Sequence, residues 1–365
     1  MMGDSDPFLG MRRSPRTASS IHSSTKRDRS VNMTSTNDRI DGNVPGGSLV
    51  SVRKSIDWGS LAPVIFFAVL VLLFGFLEPS IFLTIDNLAS ILNNGAVLAI
   101  LACGLTVVLA VGEFDLSIAA VASFAGALAA VTIAQMGWNV ALVLPMIIVV
   151  GILIGLINGV LVTRYEMPAL IATIGVSSLL DGLSMWVTGN SVIFSGFTGP
   201  FLALGDWRIG SIQAPVFYLV FIAAILIVIL HYTVLGRHIY ATGGNRAASR
   251  MSGIRVERQI ITAFVIAAVL GALAGVIYTA RQGSLTPLFG ASMLLPTFAA
   301  AFLGSVTLAR RQFHIVGTVI GVYLIETGTT GLLILGAPAY TQQLFAGAVL
   351  ILATIGARYR NAKTK

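Results

Sequence analysis

Four acidic side chains stand out in the apolar part of this sequence: Glu113, Asp115, Asp181 and Glu326. A charged group is costly inside a bilayer, so residues of this kind are candidates for a substrate or ion pathway. For Asp181 and Glu326 the alternative is a place near the end of a membrane span, where the carboxylate reaches water. The four acids show no paired arrangement, whereas ion-coupled secondary transporters use intramembrane charges in paired halves.

Amide and hydroxyl side chains in the same runs can bind a sugar, because sugar hydroxyls need both donors and acceptors. The alternative for the asparagines is a hydrogen bond that joins two helices. Asp115 and Ser117 lie where a span begins; N-capping is the favoured role, and gating or substrate binding is the alternative. The candidates for a translocation path are therefore Asn93, Asn94, Asp115, Ser117, Asn158, Thr173 and Glu326.

Other kinds of chemistry have little support in the sequence. Cys103 is the only cysteine, so an intrachain disulfide is excluded, and the four histidines have no metal-ligand spacing. No Gly-Lys pair occurs, so the phosphate-binding loop G-x-x-x-x-G-K-[ST] is absent. An intramembrane serine protease needs a serine and a base that face each other, and His231 lies near a predicted span end. We expect no cofactor, no metal and no catalytic residue.

The composition places most of the chain in a membrane. Hydrophobic residues make up 56% of it and the mean hydropathy is +0.88, while a helix needs about 20 apolar residues to cross a bilayer. Three stretches, 88–111, 115–136 and 168–188, are rich in small and polar residues, and one of them is a candidate for a broken or re-entrant helix. We predict an all-α polytopic membrane protein with about ten transmembrane helices, at roughly 58–78, 88–111, 115–136, 140–163, 168–188, 215–235, 259–280, 292–309, 313–335 and 340–357.

The basic residues predict the orientation. Lysine and arginine accumulate in cytoplasmic loops. With ten spans and both termini cytoplasmic, Arg208 and Arg281 are the only two of the 23 lysines and arginines that fall outside. The isoelectric point near 10.0 follows from these loops, so we expect no nucleic-acid partner. The sequence predicts a multi-pass protein of the inner (plasma) membrane, surrounded by membrane lipid.

The chain divides into three segments. Residues 1–56 are rich in Ser, Arg, Thr, Asn and Asp and are predicted to be a disordered cytoplasmic tail. Residues 57–358 are the transmembrane domain, and residues 359–365 are a cytoplasmic C-terminal tail. The sequence shows no convincing internal repeat and no second soluble domain.

A polar island of 23 residues, Gly236–Arg258, separates two of the predicted spans. It carries five arginines and one glutamate in a chain that is 10% charged. Asn245 is suited to cap the start of a helix, and Gly253 can end one in the left-handed conformation. The sequence therefore predicts a short helix on the cytoplasmic side, against which another protein could push. The alternative is an ordinary basic loop, which the distribution of positive charge produces by itself.

Four separate motifs, in order along the chain, resemble those of a known family. GEFDLSI at 112–118 resembles G-x-x-D-L-S-[VI]-G, and ING at 157–159 with MPALIATIG at 167–175 resembles its Asn-Gly and F-I-A-T-L-G runs. The island GRHIYATGGNRAASRMSGI and the later LGS at 303–305 and VGT at 316–318 are also in register. Over about residues 60–357 the chain thus resembles the permease subunit of carbohydrate-uptake ABC importers, of the ribose, xylose and galactose type. Ala119, Ala120, Glu113 and the pair Arg310-Arg311 depart from the family pattern.

The resemblance implies partners and a mechanism. It implies a second permease chain, identical or related, an ABC ATPase subunit in the cytoplasm and a periplasmic sugar-binding protein. The chain would move a monosaccharide, a pentose or related sugar, by alternating access, with ATP hydrolysed by the separate subunit. The alternative is an ion-coupled secondary transporter of a small polar solute. The ATPase-coupling residues implied are Arg237, Gly243, Gly244, Asn245, Ala248, Arg250, Ser252 and Gly253.

Overall fold

The computed structural model describes residues 58–307 and 312–362. The predicted tail at 1–56, the pair Arg310-Arg311 and the last lysines, Lys363 and Lys365, lie outside these residues. Within them the chain forms α-helices and one short β-hairpin. The elements are α1 (Trp58–Leu77), α2 (Pro79–Phe82), α3 (Ile85–Ala110), α4 (Ile118–Ala130), α5 (Val140–Thr163), α6 (Ala169–Thr188), α7 (Gly199–Asp206), β1 (Arg208–Ile209), β2 (Ile212–Gln213), α8 (Ala214–Tyr232), α9 (Val234–Gly244), α10 (Arg246–Met251), α11 (Val256–Gln282), α12 (Ala291–Val306), α13 (Ile315–Ile334) and α14 (Tyr340–Ala362).

Seven of these elements are long and apolar enough to cross a membrane: α3, α4 with the turn that follows it, α5, α6, α8, α11 and α13. Shorter apolar helical stretches lie at Pro63–Leu77, Ala291–Val306 and Tyr340–Ile355. Every stretch predicted from the sequence coincides with one of these helices. The predicted all-α polytopic architecture is therefore confirmed, whereas the count of ten spans and the side on which the termini lie stay predictions.

The three stretches with many small and polar residues all form helices. The stretch around 88–111 is one continuous helix, α3, and α6 is regular. The helix α4 continues into a π-helical turn, Val131–Gln135. The irregularity in this group is thus a local change of helix type, within an element of 18 residues.

Helices α3 and α11 form the centre of the bundle. Every residue of α3 from Gly95 to Ala110 is buried, and α11 packs against α3, α4 and α5. By contrast, α1, α6 and α8 expose large apolar side chains, among them Leu72, Leu179 and Phe221. Extensive apolar exposure on peripheral helices fits contact with lipid and not with water.

A row of glycines allows α5 to lie directly against α11. Gly151, Gly155 and Gly159 are spaced four residues apart and face the α11 backbone. A Cβ atom on Gly159 would lie 2.8 Å from the Cα of Ile261, so a larger residue there would push the helices apart. Close approach through small residues at this spacing is typical of helix pairs in membranes.

The direction of α3 defines two ends of the bundle. Near its start, the backbone N–H of Gln213 in the β-hairpin donates to Asn93 Oδ1 at 2.9 Å. Just beyond its other end, Arg246 of the polar island contacts Gly112. We call these the hairpin end and the island end; Asn93 and Gly112 are 19 positions apart, which corresponds to roughly 28 Å along a helix.

Candidate functional site

The short helix predicted in the polar island is confirmed as α10. Asn245 Oδ1 accepts a hydrogen bond from the Ala248 N–H at 3.0 Å, which caps the start of the helix. Gly253 has φ +79°, the left-handed conformation that ends it. The Ser252 hydroxyl donates to the Ala248 carbonyl at 3.0 Å. The sequence did not predict α9, whose C-terminal part is the first half of the island.

Helix α10 presents an exposed face at the island end. Ala247, Ala248, Arg250 and Met251 are exposed, and Ser249 is buried against the body of the protein. Met251 is 91% exposed. A single exposed methionine is ordinary on a protein surface, but here it lies next to small side chains on a capped helix. The result is a low, partly apolar surface on which another protein can dock.

The two neighbouring glycines of the island have different surroundings. A Cβ atom on Gly243 would overlap the carbonyl oxygen of Ala110 at the end of α3, so Gly243 is required for close packing of α9. A Cβ atom on Gly244 would meet nothing within 4 Å. Gly244 is therefore part of the exposed surface, whereas Gly243 joins the island to the bundle.

Arg246 connects α10 to the segment between α3 and α4. Its Nη2 donates to the Gly112 carbonyl at 3.1 Å and to Glu113 Oε1 at 2.7 Å. The Glu113 side chain is only 10% exposed. Burial raises the pKa of Glu113, and the Arg246 charge opposes that shift. Arg246 is not among the coupling residues that the family resemblance implies; the additional charge at Glu113 was the signal in the sequence that a cation lies nearby.

The two arginines that were selected lie elsewhere on the island end. Arg250 Nη2 bonds to Glu257 Oε1 at 2.7 Å, and both side chains are about half exposed. Arg237 is exposed and lines a cavity of about 400 Å³ with His231, Tyr240 and His314. Neither observation tests their proposed contact with an ATPase.

Four of the seven path candidates meet at the island end as a buried polar cluster. Asp115 Oδ1 accepts from the Ser117 N–H at 2.8 Å and from the Ser117 hydroxyl at 2.6 Å. Asn158 Nδ2 donates to Ser117 Oγ at 2.7 Å, and Thr173 Oγ1 accepts from the Leu116 N–H at 3.1 Å. The cluster joins α4, α5 and α6 beside the segment that Arg246 holds.

At the start of α4 the two N-cap candidates differ: Asp115 lies two residues before the N-cap position, where its carboxylate accepts the backbone N–H of Ser117. Ser117 occupies the N-cap position of α4 and makes no capping bond with its side chain. Its hydroxyl instead donates to Asp115 Oδ1 and accepts from Asn158 Nδ2. The Asp115 carboxylate also accepts the backbone N–H of Ser117, in the turn by which an aspartate bonds to the residue two positions later.

Two oxygens of the polar cluster lack a partner. Asp115 Oδ2 and Asn158 Oδ1 are buried and receive no hydrogen bond from the part of the chain that the structure describes. Burial raises the pKa of Asp115 from 3.8 to about 6, opposed by its hydrogen bonds from Ser117 and Ile118. A proton on this carboxyl would supply one of the missing donors.

The other three path candidates lie toward the hairpin end. The Asn93 amide donates to the Ser211 carbonyl at 2.9 Å and accepts from the Gln213 N–H at 2.9 Å, and these two bonds join the hairpin to α3. Asn94 Oδ1 accepts from Arg281 Nη2 at 2.6 Å. Asn94 and Glu326 line a cavity of about 460 Å³. Asp181, half-buried on α6, belongs to neither group.

Between the two groups the centre of the bundle is closed. From Gly95 to Val111, α3 is buried and apolar except for Thr106, whose hydroxyl lies 2.7 Å from that of Thr318. Cys103 is fully buried in this stretch. Within residues 58–307 and 312–362, no group of three or more His, Cys, Asp and Glu residues could hold a metal ion.

Comparison with known proteins gives a consistent set of similarities. The family described as branched-chain amino acid transport system / permease component matches residues 87–354. The ribose import permease protein RbsC of Escherichia coli (strain K12) is 37% identical over 292 residues, 79% of this chain and 90% of that protein. RbsC of Bacillus subtilis (strain 168) is 35% identical over 311 residues, 83% of this chain and 94% of that protein.

A further relative, the D-allose transport system permease protein AlsC of Escherichia coli (strain K12), is 31% identical over 297 residues, 81% of this chain and 90% of that protein. No solved structure matches the chain.

Proposed function

The chain belongs to the branched-chain amino acid transport system permease family, and from this premise we propose that it is the membrane-spanning subunit of an ATP-driven sugar importer. The similar proteins named above are permeases for ribose and D-allose. The proposed solute is therefore a monosaccharide, a pentose or a related sugar. It crosses the inner membrane by alternating access, and the chain forms no covalent intermediate with it.

Three partners complete the proposed importer. A cytoplasmic ABC ATPase binds the island end, because this chain has no phosphate-binding loop of its own. A periplasmic sugar-binding protein delivers the solute at the hairpin end. A second permease chain, identical or related, forms the other half of the path.

The contact of Arg246 with Gly112 and Glu113 is the observation that carries this proposal. Helix α10 is exposed to a partner on one face, and through Arg246 it is bonded to the segment 111–117. The same segment continues directly into Asp115 and Ser117 of the buried polar cluster. Closure of the ATPase on ATP would displace α10, and this displacement would reach the buried cluster over a few covalent bonds.

Island residues divide into two roles under this proposal. Gly244, Ala248 and Met251 offer the surface that the ATPase covers, with Arg237 and Arg250 at its margins. Gly243, Asn245, Ser252 and Gly253 give the island its shape through close packing, the N-cap, the last-turn hydrogen bond and the left-handed stop.

Bulky substitutions at Gly244 and Ala248 test the docking surface. Gly244→Trp adds a side chain where a Cβ meets nothing within 4 Å, and Ala248 is exposed, so neither change disturbs packing inside the chain. We expect ATP-dependent D-ribose uptake in proteoliposomes to fall at least about tenfold, a loss of about 1.4 kcal/mol of coupling, and the ATPase to co-purify poorly.

Gly182→Trp is the matched control. Gly182 lies on α6, and a Cβ atom there also meets nothing within 4 Å. Uptake by this variant should stay near wild type. If Gly244→Trp and Ala248→Trp retain full uptake and ATPase association, the docking assignment is wrong. If wild-type vesicles take up D-ribose with an ion gradient and no ATPase, the protein is a secondary transporter instead.

A further inference from the structure

The cavity at the hairpin end is lined by polar groups from four helices. It has a volume of about 460 Å³ and lies between α3, α12, α13 and α14. Binding pockets for small molecules have volumes of about 300–1,000 Å³. The polar lining combines one carboxylate with amides and hydroxyls, from Asn94, Ser292, Glu326, Thr330, Gln342 and Gln343.

Glu326 has hydrogen-bonding capacity that the fold leaves unused. Although it is partly buried, its carboxylate receives no hydrogen bond from the described residues. The cation that interacts electrostatically with it is Arg281. Arg281 already donates to Gln213 Oε1 at 2.7 Å and to Asn94 Oδ1 at 2.6 Å. The carboxylate oxygens are thus available to a solute in the cavity.

Close packing of α3 on α13 brings Asn94 and Glu326 to the same level of the cavity. A Cβ atom on Gly95 would lie 3.1 Å from Cγ of Glu326 and 2.8 Å from the Tyr323 ring. The Tyr323 hydroxyl donates to the Leu92 carbonyl at 3.2 Å. Glycine at position 95 therefore lets α13 approach α3 at the level of Asn94. Asn94 Oδ1 accepts from Arg281 Nη2, and Asn94 Nδ2 donates to Ser90 Oγ at 3.3 Å.

The lining of the cavity is exposed near the end of α13, where Leu333 is 46% exposed, and buried deeper in the bundle. Glu326 lies eight residues before the last residue of α13, roughly 12 Å from that end. The most buried residues of the cavity lining include Leu98 and Ile325, which are 5% and 2% exposed. A polar cavity whose inner end is lined by buried apolar side chains can bind a solute from one side of the membrane without letting it cross.

The chemistry of the lining favours a neutral ligand with many hydroxyl groups. No arginine or lysine among the described residues lines the cavity, and Arg281, which bonds to the lining residue Asn94, is already engaged by Asn94 and Gln213, so the carboxylate of an amino acid would find no free cation there. Amides, hydroxyls and one carboxylate can each bond to a hydroxyl group. We propose that this cavity is the first solute-binding site of the permease and that it takes a neutral polyhydroxylated ligand of monosaccharide size. This inference rests on the proposed function.

Cysteine labelling tests binding at the cavity without relying on transport. Cys103 is fully buried, so a cysteine introduced in place of Thr330 or Gln343 is the reactive one. A water-soluble, membrane-impermeant methanethiosulfonate would be added to the assembled importer with and without D-ribose. At about ten times the half-saturating concentration, the sugar leaves about a tenth of the sites empty, and labelling slows about tenfold.

Ile209→Cys is the matched control, because Ile209 is 59% exposed on the hairpin and does not line the cavity. Its labelling should be unaffected by D-ribose. Glu326→Gln should raise the half-saturating sugar concentration for protection of Thr330→Cys about tenfold, as expected for the loss of a charge-assisted hydrogen bond. Testing two cysteine positions covers the case in which one variant does not fold.

The outcomes separate this inference from the proposed function. Import of D-ribose without protection at either cysteine would overturn the cavity assignment. Protection by leucine and not by D-ribose would overturn the ligand class. If the wild-type importer takes up no sugar, the proposed function fails. In that case, protection of the cysteines by D-ribose would still support the binding site, and a lack of protection would exclude it.

Discussion

At the residue scale, Asp115 forms no ion pair with any cation in residues 58–307 and 312–362. Its Oδ1 accepts two hydrogen bonds from Ser117, while Oδ2 is buried without a partner among the described residues. Arg246 of the polar island, the cation that contacts this segment, bonds to Glu113 instead. A buried carboxylate in this position destabilises the folded state when it is ionised, because burial disfavours the charged form.

Stability should therefore fall as the pH rises through the pKa of Asp115. The pKa is raised from 3.8 to about 6, so the folded protein binds the proton more tightly than the unfolded one. Its contribution is fully present below about pH 4 and lost above about pH 6, a change of about 3 kcal/mol. We expect Asp115→Asn to melt above wild type at pH 7, in detergent, and to lose this advantage at pH 4.

The difference between the two melting curves is the quantity to measure, since other carboxyl groups titrate in both proteins. Ser117→Ala is a suitable comparison, because it removes a hydrogen bond to Asp115 and leaves the carboxyl in place. It therefore separates the effect of a lost hydrogen bond from the effect of a lost carboxyl group. A melting difference between wild type and Asp115→Asn that does not vary between pH 4 and pH 7 would show that Asp115 is not a buried, titrating group.

At the element scale, α9 and α10 owe their positions to different kinds of interaction. Helix α10 is defined locally, by the Asn245 cap and the Gly253 stop. Helix α9 is positioned by a long-range contact, in which Gly243 lies against the carbonyl of Ala110. The second contact joins the island to the end of α3.

The adjacent glycines of the island should respond very differently to a single methyl group. Gly243→Ala places a Cβ against the Ala110 backbone, where overpacking costs about 1–3 kcal/mol. Gly244→Ala should change stability by less than about 1 kcal/mol, because its Cβ points into open space. Thermal unfolding of both variants in the same detergent measures the difference, and equal melting temperatures would contradict the packing role of Gly243.

Helices α9 and α10 also show which features of the fold can be predicted from the sequence and which cannot. Periodic hydrophobicity and capping act over a few residues, so the helices, the Asn245 cap and the Gly253 stop were predictable. The pairs Arg246–Glu113 and Arg281–Asn94 join residues more than 130 positions apart, and only the packed bundle brings them together. For the same reason, the sequence alone could not show that the seven path candidates form two groups, one toward each end of the bundle.

At the scale of the whole molecule, the basic residues are sorted by end. Five arginines belong to the island, and Arg164 follows α5 at the same end. Arg208 and Arg281 lie at the hairpin end, where Arg281 bonds to Gln213 and Arg208 to Asp206. Both arginines at the hairpin end thus have carboxyl or amide partners close by, as Arg246 and Arg250 do at the island end, and such partners reduce the cost of a charge on the side where positive charge is rare.

This asymmetry predicts that the island end is cytoplasmic, because positive charge is retained on that side during insertion. Met251→Cys and Ile209→Cys place single reactive thiols at the two ends, at side chains that are 91% and 59% exposed. The buried Cys103 provides an unreactive background. In cells that express the permease without its ATPase, an impermeant maleimide added to intact spheroplasts should label Ile209→Cys alone, and Met251→Cys should react only after the membrane is opened. Labelling of Met251→Cys in sealed spheroplasts would place the island outside, where no ATPase could act on it, and the ATP-coupled mechanism would then have to be abandoned together with the orientation.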